Sequence, residues 1–313
     1  MELARYSKEI PFEKNSTLTV GTFDGVHLAH QKIIRQVVAL ARKRNGRSVV
    51  VTFEPHPREV VVAAGTPIQL LTTLRERQEM CEQLGVDWFV VIHFDKKFSN
   101  QSFREFYVRY LINCIGMNQV VEGYDHHWGK NRGGTIESLV ELGKEFGFDV
   151  VNIEQFLYQG QPVSSSLIRN ELARGNVEFA AELLGRPYAL SGTVVEGDRR
   201  GRQLGYPTAN IIPDSLKKLV PADGIYFVKV ALGDEKYFGM ASIGVRPTFH
   251  EAGRRTIEVH ILDFMKDIYG CELHVGFLKR LRNEVKYQTA DQLVQQMDKD
   301  KELSYALRDE FTL

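Results

Sequence analysis

Gly21-Thr-Phe-Asp-Gly-Val-His-Leu-Ala-His30 is the stretch on which the fold turns. It follows a short β-prone run, Thr17–Val20. It opens a segment, 28–45, in which Ile33, Ile34, Val37, Val38 and Ala41 fall on one helical face before Gly46. His27 and His30 are three residues apart in the first turn of that helix, so they project from the same side. Free amides at a helix N-terminus attract phosphate, and two imidazoles add donors to the same anion. Gly21 and Gly25 let the backbone turn and approach a ligand closely. The chemistry this favours is transfer of a nucleotidyl group, which needs positioned donors rather than a covalent nucleophile. A pair of surface or metal-bound histidines is the competing reading of the spacing alone.

Outward from this stretch, strand-like and helix-like patterns alternate. Ser48–Phe53 is a nearly continuous apolar strand, as a sheet covered on both faces requires. Thr73 and Glu76 fit a capping box opening a helix to about Leu84. Trp88–Ile92 is a third strand. Phe103, Phe106, Tyr107, Tyr110, Leu111 and Cys114 line one helical face, Gln119–Glu122 is a fourth strand, 135–147 a helix and Asp149–Ile153 a fifth strand. This alternation predicts a parallel α/β sheet with ligands beyond the carboxyl ends of its strands. After a helical stretch over 165–185, short strands separated by Gly and Pro turns run from Tyr188 to Arg282, which reads as an antiparallel barrel or sandwich. A C-terminal helix follows, opened by Thr289 and Gln292, with Leu293, Met297, Leu303 and Leu307 as its buried stripe. The boundary is expected near Gly185–Pro187, giving units 1–185 and 186–313.

Further polar clusters sit where loops are expected. Thr52-Phe-Glu-Pro-His-Pro57 follows the second strand, and its prolines can present His56. Gly123-Tyr-Asp-His-His-Trp-Gly-Lys-Asn-Arg-Gly-Gly134 follows the fourth, with Asp125, His126, Lys130 and Arg132 as polar candidates. Val163-Ser-Ser-Ser-Leu-Ile-Arg169 offers caps or phosphate donors in Ser164 and Ser165 and a forked cation in Arg169.

Taken together, these motifs resemble the adenylyltransferase module of bacterial bifunctional riboflavin kinase/FAD synthetases, of the wider HxGH nucleotidyltransferase group with its Rossmann-like fold. The resemblance implies that His27 and His30 hold the ATP phosphates and that Ser164, Ser165 and Arg169 close over them. It implies that Gly21, Phe23, Asp24, Gly25, His56 and Asp125 help to bind nucleotide and flavin. Ala29 stands where the family usually has glycine.

The second half carries Gly197-Asp-Arg-Arg-Gly-Arg-Gln-Leu-Gly-Tyr-Pro-Thr-Ala-Asn210. Arg199, Arg200 and Arg202 among glycines suit polyphosphate, although no Walker A signature is present. Thr208 and Asn210, two apart, point to one side of a strand and could both touch Mg²⁺, a hard, oxygen-seeking cation. In Thr256-Ile-Glu-Val-His-Ile-Leu-Asp-Phe264, alternation puts Glu258 on the face opposite Ile257, Val259 and Ile261, as a candidate general base. With Gly224-Ile-Tyr-Phe-Val228, Ala241-Ser-Ile-Gly-Val-Arg-Pro-Thr-Phe249 and Leu281-Arg-Asn-Glu284, these motifs resemble the riboflavin kinase module. The resemblance implies a six-stranded antiparallel barrel with Thr208 and Asn210 at the metal and Glu258 as catalytic base. It places Arg199, Arg202, Gly205 and Pro207 around the substrate.

The expected activities are therefore phosphorylation of riboflavin to FMN and adenylylation of FMN to FAD, with ATP as co-substrate and Mg²⁺ as cofactor. Two alternatives stay open: a riboflavin kinase whose N-terminal unit no longer adenylylates, and a non-catalytic flavin- or nucleotide-binding regulator. The 313 residues carry 40 Lys+Arg against 40 Asp+Glu. Zero net charge argues against bulk binding of nucleic acid or anionic membrane, and no basic helix or RNP-like motif occurs. No apolar run reaches the roughly 18–20 residues that cross a bilayer. The charged start, MELARYSKEIPFEKNST, has no apolar h-region and does not read as a secretory signal. Cys81, Cys114 and Cys271 form no metal or disulfide spacing. A cytoplasmic protein is expected; a homo-oligomer is compatible with the sequence.

Overall fold

All six strands of the N-terminal sheet run parallel, in the order β1-β4-β3-β2-β5-β6. They are β1 (Glu2–Arg5), β2 (Ser16–Val20), β3 (Arg47–Glu54), β4 (Trp88–His93), β5 (Met117–Gly123) and β6 (Asp149–Ile153). The computed structural model describes residues 1–5, 9–61, 68–124, 134–197, 201, 204–245 and 255–311. These fall into two compact units, Met1–Ser165 and Ser166–Leu313.

The central strands are buried on both faces: in β3, Val49, Val50 and Val51 are all inaccessible. That double burial is why Ser48–Phe53 reads as a continuous apolar run rather than an alternating one. Helices α1 (Leu28–Lys43), α3 (Leu74–Gln83) and α6 (Ile136–Phe146) connect the strands, with a short α2 (Pro57–Val61) after β3. The capping box at Thr73 and Glu76 forms as expected. The strand order reverses at β2, which has β3 on one side and β5 on the other. Ligands in open parallel sheets sit in the crevice at such a reversal, beyond the carboxyl ends. The segment 21–30 leaves β2 there, and β5 ends there at Gly123.

Two features depart from the expected pattern. β1 adds an edge strand that pairs with β4. After short helices α4 (Lys96–Ser99) and α5 (Phe103–Phe106), the chain continues as a π-helix, Tyr107–Ile115. Its wider turn changes the buried face: Tyr107, Leu111 and Ile115 are buried, whereas Tyr110 and Cys114 are only half-buried.

The second unit is a closed antiparallel barrel, β10-β13-β12-β11-β14-β9. Its strands are β9 (Tyr188–Val195), β10 (Ala209–Pro213), β11 (Gly224–Leu232), β12 (Glu235–Val245), β13 (Arg255–Ile261) and β14 (Glu272–Arg282). A two-stranded hairpin, β7 (Leu157–Tyr158) and β8 (Gln161–Pro162), belongs to the first unit. The stretch 165–185 forms two helices, α7 (Ser165–Arg174) and α8 (Val177–Leu184). All of α7 beyond Ser165, and α8, fall in the second unit: α8 packs on β14 and β9. The Arg280 guanidinium donates to the carbonyls of Arg174 and Asp223, at 3.0 and 2.6 Å.

The C-terminal helix, α9 (Ala290–Arg308), covers an outer apolar belt of the barrel made by Phe227, Phe238, Met240, Leu262 and Leu278. Its buried face differs from the expected stripe. Leu307 is buried, but Leu303 is 45% exposed, and Asp300 and Ser304 are buried instead. The helix turns Asp300 inward because Arg282 of β14 donates to both of its carboxylate oxygens, at 2.7–3.0 Å.

Candidate functional sites

In the first unit, His27 is the N-cap of α1: its Nδ1 accepts from the His30 backbone N–H at 3.4 Å. That bond leaves the ring proton on Nε2. The two imidazoles stack, with centroids 3.6 Å apart and planes at 18°, and the edge of Phe23 meets His30 at 5.2 Å. No acidic residue occupies the first turn of α1, so the positive end of the helix stays available to an anion.

The loop leading into α1 is strained. Phe23 and Val26 have φ of 47° and 38°, and Gly25 has 89°. Only glycine adopts such angles freely, and a β-branched residue there is an outlier that costs on the order of 1–3 kcal/mol. The surroundings impose the shape. The buried Asp24 carboxylate accepts from the backbone N–H of Leu71 and Thr72, at 3.0 and 2.9 Å. Gly25 N–H donates to the Thr72 hydroxyl at 2.8 Å, and the Ser165 hydroxyl to the Asp24 carbonyl at 2.8 Å. Phe23 and Val26 are buried against Ile34, Val50, Cys81 and Phe89. Burial pushes the Cys81 thiol up to about 12, so it serves as packing and not as a nucleophile.

One further residue ties this loop to the next. Arg77, on α3, has no accessible surface. Its guanidinium donates to the Thr22 carbonyl at 2.8 Å, the Thr52 hydroxyl at 3.1 Å and the Glu54 carboxylate at 3.1 Å. Sequence reading overlooked it. The signal is present: Leu74, Arg77, Cys81 and Leu84 share one helical face, so a charge occupies a core position. Beyond Glu54, His56 is buried and its Nδ1 accepts from the Arg58 backbone N–H at 3.2 Å, again leaving a proton on Nε2. Ser164 lies just before α7 and Arg169 lies on it, in the second unit. Ala29 is helical and half-buried.

In the second unit, the register of β10 on β13 sets Asn210 directly opposite Glu258. The Thr208 hydroxyl donates to Glu258 Oε2 at 3.1 Å. The structure thus brings together the three residues that the motifs singled out. A Cβ at Gly197 would lie 2.2 Å from the Asn210 side-chain amide, so a larger residue there would push that side chain aside. The Thr208 hydroxyl and the Asn210 amide oxygen are hard donors that fit a cation such as Mg²⁺ beside the Glu258 carboxylate. His260, two residues beyond Glu258, donates from Nδ1 to the Pro207 carbonyl at 2.9 Å. Burial lowers its pKa, so it is neutral at pH 7. Its ring meets Tyr206 edge-on at 5.1 Å, and the Tyr206 hydroxyl bonds Asp298 of α9. The approach to Thr208 is therefore fixed from behind, just past Gly205, a turn residue with φ of 83°.

Beside this cluster lies a pocket of about 590 Å³, bounded by Glu196, Gly197 and Asn210 and walled by Ile212, Leu216, Val220 and Ile257. Lys218, also in its lining, is buried with Nζ 4.9 Å from the Tyr188 ring. Nothing in the local sequence marks Lys218, because its partner ring is 30 residues upstream. Asp125, Arg199 and Arg202, with Lys130 and Arg132, lie outside the described residues.

The chain thus pairs an α/β unit, whose first helix is capped by a histidine at the sheet reversal, with a barrel carrying a carboxylate–hydroxyl–amide cluster, an arrangement suited to phosphotransfer at two sites. Residues 9–167 match the FAD synthetase family model, and 184–307 the riboflavin kinase model. The chain belongs to the bifunctional riboflavin kinase/FMN adenylyltransferase family. It is 36% identical to the Bacillus subtilis (strain 168) protein of that description over 293 residues, 93% of this chain and 92% of that one. The Escherichia coli K12 protein is 36% identical over 290 residues, 92% and 91% of the two chains. A crystal structure described as a macrolide-efflux protein from Streptococcus pneumoniae is similar over 97% of this chain and 98% of its own, with a TM-score of 0.89 and 32% identity. Among the described residues, no helix of this chain is long and apolar enough to cross a membrane.

Proposed function

We propose that the chain carries out two successive ATP-dependent transfers. In the barrel, the γ-phosphoryl of ATP passes to the 5′-hydroxyl of riboflavin, giving FMN and ADP. In the α/β unit, a phosphate oxygen of FMN displaces pyrophosphate from the α-phosphorus of a second ATP, giving FAD. The observation that carries the reading is the convergence of Thr208, Asn210 and Glu258 in a chain whose relatives span both units. That span favours two activities over a kinase alone.

In the first reaction Glu258 accepts the hydroxyl proton as the oxygen–phosphorus bond forms. Thr208 and Asn210 would hold Mg²⁺, which when bound neutralises charge on the phosphates. The pocket beside Asn210 is of a size to take a nucleotide, and the arginine-rich stretch 199–202 would pair with its phosphates. In the second reaction no proton need move to the protein. His27 and His30 would stabilise the phosphates at the positive end of α1, and His27 and His56 present Nε2–H donors. Asp24 serves by shaping the loop 23–26. Ser164 would add a further hydroxyl to the phosphate contacts, while the Ser165 hydroxyl is already given to the Asp24 carbonyl. Adenylyl transfer is assigned to residues 1–185 and phosphorylation to 186–313, a functional division later in the chain than the boundary of the compact units at Ser165/Ser166; the setting is cytoplasmic, and neither nucleic acid nor membrane is a partner.

The direct test is product analysis after incubating the full chain with riboflavin, ATP and Mg²⁺. FMN should appear first and FAD after it. FMN alone would leave only the kinase, and no product would leave only a binder.

A further inference from the structure

The Arg77 guanidinium has no accessible surface, yet its acceptors lie at the exits of two neighbouring strands. Thr22 follows β2 by two residues and precedes the left-handed Phe23; Thr52 and Glu54 end β3. The Thr22 carbonyl also accepts from the Thr52 hydroxyl, at 3.2 Å. One planar fork therefore sets how the histidine loop and the His56 loop stand relative to each other.

We propose that Arg77 is a positioning residue for adenylyl transfer, acting through these two loops and not on the substrate itself. The inference rests on the adenylyltransferase reading of this unit. Stability alone does not account for a guanidinium at this core position. The cost of desolvating a fully buried guanidinium can exceed what its ion pair returns, and here the Glu54 side chain is 37% exposed. Arg77 Nε moreover has no hydrogen-bond acceptor among the described residues. What the guanidinium supplies, and an apolar side chain cannot, is simultaneous fixing of the Thr22 carbonyl and the Thr52–Glu54 strand end. A lysine would keep the charge but, as a point donor on a flexible stem, lose the fork.

The test uses the full chain, because its kinase reaction reports on folding in the same sample. Arg77→Lys and Arg77→Met are assayed for FAD formation from FMN and ATP, for FMN formation from riboflavin, and for thermal unfolding. Misplacing reacting groups by about 1 Å costs roughly 10²-fold in rate. Both variants should lose about that factor in kcat for FAD formation. KM for ATP should change less, and kinase turnover not at all. The expected split is a slow but folded enzyme; Arg77→Met, which strands the Thr22, Thr52 and Glu54 acceptors, should melt below wild type, and the drop in kcat of its folded fraction is what marks the positioning role. A merely structural residue would lower unfolding temperature and leave the kcat of the folded fraction intact. If both variants fail to fold, Thr52→Val decides. It removes one hydroxyl without stranding a charge and should cost about tenfold in kcat, the equivalent of one hydrogen bond. FAD formation within about twofold of wild type, in a folded Arg77 variant or in Thr52→Val, overturns the proposal. Wild-type protein that makes no FAD from FMN removes the adenylyltransferase reading instead.

Discussion

His27 combines two tasks in one ring. Nδ1 caps α1, and the geometry that makes it an acceptor leaves Nε2 as a donor. The two tasks can be separated. His27→Ala should lower FAD formation by about 10²–10³-fold, the cost of one transition-state donor, and destabilise the unit by about 1 kcal/mol through the lost cap. His27→Asn restores a cap acceptor but not the distal N–H, so it should recover the unfolding temperature and not the rate. Steady-state assays and thermal melts on both variants check this, and equal recovery of both would contradict it. At this scale, sequence reading succeeds where a residue's neighbours are local. His27 and His30 are legible from spacing because one helical turn brings them together. Arg77 and Lys218 are not, because their partners are brought close only by the strand order of the sheet and the barrel.

Among the elements, β5 and the π-helix share a feature that no pattern predicts in full. Glu122 interrupts an apolar strand, and that much is visible in Gln119-Val-Val-Glu122. Its partner, Tyr107, is not: the phenol donates to Glu122 Oε1 at 3.0 Å, and both side chains are buried. Periodicity identified the helix but not its wider turn, which brings Ile115 rather than Cys114 into the core. Burial pushes the Glu122 carboxyl well above the usual carboxylate range. The folded state therefore keeps a proton that the unfolded chain, titrating near about pH 4.3, has released. The sign follows: the stability contribution is fully present below that value and declines as pH rises through the raised folded pKa. Glu122→Gln keeps an acceptor for Tyr107 and cannot ionise. Relative to wild type, it should gain stability between about pH 5 and about pH 8. Thermal unfolding at the two pH values reads the difference, and an equal offset at both would place the charge elsewhere.

Across the whole molecule, the alternation of strand and helix followed by short strands was enough to separate an α/β half from an antiparallel half. The barrel could not be told from a sandwich by pattern, because closure depends on the pairing of β10 with both β9 and β13. β10 itself, only five residues long, hides behind the arginine–glycine stretch. Net charge was uninformative about ligands for a physical reason: the cations expected to meet phosphate are few and clustered, while the other charges balance around them.

The central claim is that two sites on one chain perform two separable reactions. Glu258→Gln in the full chain tests it most directly, with riboflavin or FMN supplied alongside ATP and Mg²⁺. Removing a general base typically costs about 10²–10⁴-fold. FMN formation from riboflavin should fall by about that factor, while supplied FMN is converted to FAD at the wild-type rate. Loss of both reactions in a folded variant, or retention of both, would contradict the account.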